Sequence, residues 1–117
     1  MKLINSFKYA IMGIIEGFKS EKNMKIHVLA AIAAITMGSA LHITKAEWLL
    51  ITFAISLVIS VELLNTAIEK TINNITKTNP ETYKAMGLPK DLSAGAVLIV
   101  SIAALVAGLI IFLPYLI

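Results

Sequence analysis

The sequence predicts an all-α integral membrane protein, an amphipathic surface helix followed by three transmembrane helices. Three observations predict it. The 117 residues are 58% hydrophobic, and a mean hydropathy of +0.87 lies well above that of a soluble domain of this size. Three stretches are each long and apolar enough to cross a hydrocarbon core, which takes roughly 20 residues. The residues ahead of them alternate polar and apolar groups at helical spacing rather than forming a fourth apolar run. The three Pro and six Gly are scattered, and neither a repeat nor a low-complexity tract divides the chain, so residues 1–117 read as one membrane domain. The absence of Cys excludes disulfides, thiolate metal sites and a cysteine nucleophile, so any metal is held by oxygen or imidazole.

The first element, residues 1–20, places Leu3, Ile4, Phe7, Ile11, Ile14, Ile15 and Phe18 on one face. Lys2, Asn5, Lys8, Glu16 and Lys19 lie largely opposite. Such a helix suits a membrane surface, with its apolar face in the acyl boundary and its lysines among headgroups. The chain is expected to break just before Glu21, with Ser20 capping the next helix. The first span is expected at about 26–43, the second at about 46–68 and the third at about 92–117. Gly38-Ser39-Ala40 imitates a signal-cleavage site, but the amphipathic stretch ahead of the apolar run is far longer than a short basic leader. Trp48 reads as an interface anchor, Glu47 as a helix-start acid, and His42 as a residue far from any chemistry.

Every basic residue is Lys. Lys2, Lys8, Lys19, Lys22 and Lys25 precede the first span, Lys70, Lys77, Lys84 and Lys90 lie between the second and third, and Lys45 alone falls in the first connection. The positive-inside rule then puts the N-terminus and the second connection in the cytoplasm. Glu21, Glu69, Lys90 and Asp91 share that side.

The chemistry concentrates in Glu62-Leu63-Leu64-Asn65-Thr66-Ala67-Ile68-Glu69. At about 100° per residue, a step of seven nearly closes two turns, so Glu62, Asn65, Thr66 and Glu69 form one stripe. A carboxylate inside a membrane helix is costly and asks for a function; the competing reading is that both glutamates lie beyond the lipid and pair with Lys70. Further on, Pro89 favours a helix start, Asp91 suits its positive end, and Lys90 can meet an anion there. Ser93, Ala94, Gly95 and Ala96 permit close approach of a neighbour. His27 can touch a lipid headgroup or simply be an interfacial polar residue.

These pieces resemble the small prokaryotic integral-membrane lipid kinases, the diacylglycerol and undecaprenol kinases. The resemblance rests on Phe7-Lys8-Tyr9-Ala10 with Gly13, Glu21-Lys22-Asn23-Met24-Lys25-Ile26-His27, Glu47-Trp48, the eight-residue glutamate segment, and Lys90-Asp91 followed by Ala94-Gly95-Ala96-Val97. It implies that ATP phosphorylates a lipid hydroxyl. Glu62 matches the catalytic base and Asn65 a polar residue beside it. Glu21 and Glu69 match the acids that hold Mg²⁺. Lys90, Asp91, Tyr9, Lys2 and Asn73 match nucleotide-binding positions, and Asn23 and Ala94 positions at the lipid acceptor. It also implies a homotrimer in the cell membrane. The expected partners are a membrane lipid, ATP and further copies of the chain, not nucleic acid. Asn73 stands where the family usually has Asp, and the second connection is longer than is typical.

The segments around Asn23 and Ala94 resemble the Gram-positive branch, so the resemblance favours undecaprenol as acceptor over diacylglycerol. A small proton-coupled transporter subunit would also place Glu62 in a helix, but it gives no reason for Glu21 or Lys90-Asp91. No Walker-type glycine loop is present.

Overall fold

The computed structural model describes residues 2–77 and 79–117; Met1 and Thr78 lie outside the described residues. The chain folds as five helices: α1 (Lys2–Ser20), α2 (Lys22–Leu41), α3 (Lys45–Thr76), α4 (Pro80–Ala85) and α5 (Gly87–Leu116). There is no strand among the described residues. Helices α2, α3 and α5 are long and apolar enough to cross a membrane. Helix α1 carries its apolar side chains largely uncovered, with Leu3, Ile4 and Phe7 exposed.

The helices outrun the apolar stretches that the sequence marks. Helix α3 spans 32 residues, about 48 Å at 1.5 Å per residue, against a hydrocarbon core of about 30 Å. Its last turns are polar yet helical: the buried Ile72 ties them to the fold, and the Thr71 and Thr76 hydroxyls are satisfied by the carbonyls of Ala67 and Ile72, both at 2.7 Å. Helix α5 begins at Gly87 rather than Leu92. Pro89 falls in the first turn, where no intrahelical N–H bond is needed, so it does not delay the start.

The connections follow from local chemistry. At the α1–α2 corner Ser20 does not cap. Its hydroxyl donates to the Glu16 carbonyl at 2.8 Å and accepts from Lys70 Nζ at 3.2 Å. Glu21 occupies the cap position in an extended conformation with no side-chain cap bond, which leaves its carboxylate free. The break before Glu21 is where the sequence predicts it.

Between α2 and α3, His42 takes the left-handed conformation at φ 52°, and the Ile43 amide donates to the Gly38 carbonyl at 3.2 Å. This is a helix ending that folds Ile43 back onto the preceding turn. Thr44 and Glu47 then form a reciprocal capping box: Thr44 Oγ1 accepts from the Glu47 amide at 3.2 Å, and Glu47 Oε1 accepts from the Thr44 amide at 2.9 Å. Tyr115 Oη donates to the same carboxylate, tying the end of α5 to the start of α3. At α4, Asn79 Oδ1 accepts from the amides of Glu81 and Thr82 at 3.1 and 3.3 Å, and Pro80 supplies the first helical position.

These connections divide the molecule. Ile43, Ile51, Ile111 and Phe112 form an apolar core at the α2–α3 turn, with Trp48 half-buried against it. Trp48 thus packs inward, over Gly38, rather than standing free as an anchor. The opposite end, where α1 meets α2 and α3 meets α5, holds the polar residues. A Cβ at Gly38 would lie 2.9 Å from Ile43 Cδ1 and 3.0 Å from Trp48 Cη2. Gly38→Val should therefore overpack the core, destabilising the chain by about 1–3 kcal/mol, read as a lowered unfolding midpoint in detergent micelles.

Candidate functional site

The site is built along one stripe of α3. Glu62, Asn65, Thr66, Glu69, Asn73 and Thr76 recur at spacings of three, four and seven and so face one direction. Glu62 is 1% exposed, and Asn65, Thr66 and Thr76 are also buried. A polar stripe buried on an apolar helix must find its partners on neighbouring helices.

Asn65 finds them on both sides. Its Nδ2 donates to Glu69 Oε1 at 3.2 Å, and its Oδ1 accepts from Ser93 Oγ on α5 at 2.7 Å. A carboxylate accepts only, so Glu69 takes the amide nitrogen and the hydroxyl takes the oxygen. Further out, Lys90 Nζ donates to Asn73 Oδ1 at 3.2 Å and lies 5.3 Å from the centre of the Tyr83 ring on α4, a cation–π distance. Lys90 and Ser93, three residues apart, thus share the α5 face that meets α3. Asp91 and Ala94 are exposed beside it.

Glu62 lies two turns deeper and faces the imidazole of His27 on α2, with Nε2 3.6 Å from Oε2. That is the one close contact between a carboxylate and a basic side chain among the described residues, and Oε2 has no hydrogen-bond donor there. Neither Glu62 nor Glu69 pairs with Lys70, which turns instead to Ser20. The reading of the glutamates as helix-end partners of Lys70 is thereby excluded. His27 also heads a groove of about 480 Å³ between α2, α3 and α5, walled by small and aliphatic residues including Ala30, Ala34, Ala104 and Gly108.

The chain brings together Glu62, Asn65, Glu69, Asn73 and Lys90. Glu21 stands next to Ser20, whose hydroxyl meets the neighbour of Glu69 on α3. Lys2 and Tyr9 lie on the exposed part of α1 with no side-chain polar contact to the stripe among the described residues, and Asn23 is exposed on the first turn of α2. Sequence reasoning treats Ser93 as a packing residue and passes over Tyr83. The signal for Ser93 is its place three residues after Lys90 on one helical face. The signal for Tyr83 is an aromatic ring next to Lys84 on a short capped helix.

No group of three His, Asp or Glu side chains among the described residues forms a ready metal cage. The oxygen donors of Glu21 and Glu69 nonetheless suit Mg²⁺, which commonly takes one or two carboxylates and fills its other positions with phosphate and water. The arrangement as a whole offers a buried carboxylate beside the imidazole that heads an apolar groove, and a cation and two amides nearer the chain's polar end.

Residues 8–112 match the family described as prokaryotic diacylglycerol kinase. The chain is 38% identical over 113 residues to an undecaprenol kinase of Bacillus subtilis, covering 97% of this chain and 89% of that one. It is 35% identical to a diacylglycerol kinase of Synechocystis, over 96% of this chain and 63% of that protein. It is 33% identical to a diacylglycerol kinase of Haemophilus influenzae, over 94% of this chain and 92% of that protein. The chain therefore belongs to the prokaryotic diacylglycerol kinase family of membrane lipid kinases.

Proposed function

We propose that this protein transfers the γ-phosphate of ATP to the hydroxyl of undecaprenol, with Glu62 as base. The observation that carries the reading is the position of Glu62, a buried carboxylate with a free oxygen, set beside the His27 that heads an apolar groove and on the polar stripe whose Asn73 meets Lys90. The groove suits the hydrocarbon chain of a lipid, and its head brings a lipid hydroxyl to the carboxylate. The undecaprenol kinase of Bacillus subtilis supports the choice of acceptor, with diacylglycerol the alternative within the family.

The residues divide the work. Glu62 takes the proton from the lipid hydroxyl while that oxygen bonds to the γ-phosphorus and the bond to the β–γ bridging oxygen breaks, releasing ADP. Asn65, held by Ser93 and Glu69, keeps the polar stripe aligned beside it. Lys90, held by Asn73 and Tyr83, offers its ammonium to the phosphates, and Asp91, Tyr9 and Lys2 complete the nucleotide contacts. Asn23 and Ala94 border the acceptor. Glu21 and Glu69 would hold Mg²⁺, which would supply neutralisation of phosphate charge. No covalent enzyme intermediate is required. Placement and electrostatics suffice for phosphoryl transfer.

In this reading the lysine distribution sets the N-terminus and the α3–α5 connection in the cytoplasm, α1 lies on the membrane surface, and three chains associate. A single chain leaves Lys2 and Tyr9 away from the stripe, which accords with nucleotide contacts completed between neighbouring subunits.

Transfer of labelled γ-phosphate from Mg-ATP to undecaprenol, with dioleoylglycerol in parallel, tests the reading in mixed micelles. Undecaprenol should be the better acceptor, and Glu62→Gln should lower kcat by about 10²–10⁴-fold. No labelled lipid with either acceptor, or full activity in the variant, would sink it. Lys90→Met should raise the KM for Mg-ATP about tenfold or more, the worth of one hydrogen bond to a charged group, with the acceptor KM unchanged. Glu21→Gln should raise the Mg²⁺ concentration for half-maximal rate by at least the roughly tenfold that loss of even an outer partner of a metal ligand costs.

A further inference from the structure

His27 is the residue that the proposed reaction leaves unused, although it is the nearest charged partner of the proposed base. Its Nε2 lies 3.6 Å from Glu62 Oε2, just beyond hydrogen-bond length. Such contacts commonly tighten when substrate fills a site. The two differ in access: the Glu62 side chain is 1% exposed, whereas that of His27 is 16% exposed. Oε2, the oxygen facing His27, accepts no hydrogen bond. Thr66, one turn along α3, does not relieve it, since its own buried hydroxyl is also unpartnered.

A buried carboxylate that takes a proton in each turnover must lose it before the next. Water reaches Glu62 poorly. The geometry points to His27 as the outlet, a positioning residue that orients Glu62 and receives its proton through Nε2. The inference rests on Glu62 acting as the base. Its balance is simple. The lipid O–H proton passes to Glu62 as the new P–O bond forms; after ADP leaves, it moves to the neutral imidazole, which becomes imidazolium and releases it to interfacial water. Glu62 is again a carboxylate, with no further reactant consumed.

The other charged groups near the pair are Glu69 on α3 and Glu21 at the α1–α2 corner. From α5, Lys90 is turned away to Asn73 and Tyr83, and Ser93 is bonded to Asn65. No other imidazole is at hand: His42 lies at the opposite end of α2.

The test measures kcat and KM of the full chain in mixed micelles, per nucleotide-binding site so that only folded protein is counted. The acceptor is undecaprenol, or dioleoylglycerol if only that is labelled. His27→Gln keeps a hydrogen-bond donor for Glu62 but cannot take the proton. It should lower kcat about tenfold to hundredfold and leave both KM values within about twofold of the parent. Added imidazole should restore much of the rate of His27→Ala.

A His27→Gln kcat within about twofold of the parent, or a loss confined to the acceptor KM, would overturn the inference. Failure of imidazole to rescue His27→Ala would do so too. These outcomes are separate from failure of the underlying reading, which would appear as a parent chain that labels no lipid or a Glu62→Gln variant that still does.

Discussion

The Asn65 side chain is the joint on which the polar end of the molecule depends. It sits buried on an apolar helix, where an unsatisfied amide costs about 1–3 kcal/mol in proteins, and it meets that demand with one partner on its own helix and one on α5. Because Glu69 only accepts, the amide has a single productive orientation, and that orientation requires a donor from α5. Ser93 supplies it. The same bond therefore sets the α5 register, brings Lys90 level with Asn73 and fixes the direction of the Glu69 carboxylate. Without it, α3 and α5 would still adhere through apolar side chains, but their polar ends would have no reason to align.

The two ends of the bundle follow opposite rules. Around the α2–α3 turn, small and aliphatic residues pack closely, and a capping box and the Tyr115 hydroxyl satisfy the ends of the helices. At the other end, hydrogen-bonding groups lack partners: Glu62 Oε2 and Thr66 Oγ1 are buried and unpaired, and Glu21 caps nothing with its side chain. The Ser101 hydroxyl, on the apolar groove, is the third buried unpaired side-chain group among the described residues. The fold is thus anchored by its apolar end, and its unpaired carboxylate oxygen lies towards the polar one.

Much of this was legible in the sequence, and the reasons differ by element. The three spanning helices follow from run length, since only a helix satisfies its own backbone in lipid. The glutamate stripe follows from helical period alone. Helix ends are less legible: the polar turns of α3 after Ile68 look like a connection by hydropathy, yet the buried Ile72 and Thr76 hold them in the fold as helix. Pro89 reads as a start signal for a helix that in fact begins two residues earlier, because Pro is tolerated anywhere in the first turn. Ser20 has the composition of a cap, but its hydroxyl serves Glu16 and Lys70. Partnerships across helices, such as Ser93 with Asn65 or His27 with Glu62, depend on helix rotation and register, which local pattern does not encode.

The length of α3 has a mechanical consequence. A continuous helix rises about 1.5 Å per residue whatever surrounds it, so the seven-residue step from Glu62 to Glu69 holds the two residues about 10 Å apart along the axis. A thicker or thinner bilayer is accommodated by tilt, by local deformation of lipid or by rearranged flanking side chains. Such adjustments move both glutamates together relative to the headgroups and leave their separation alone. Helix α3 thus acts as a rigid ruler through the interface, insulating the spacing of its polar residues from the thickness of the membrane around it.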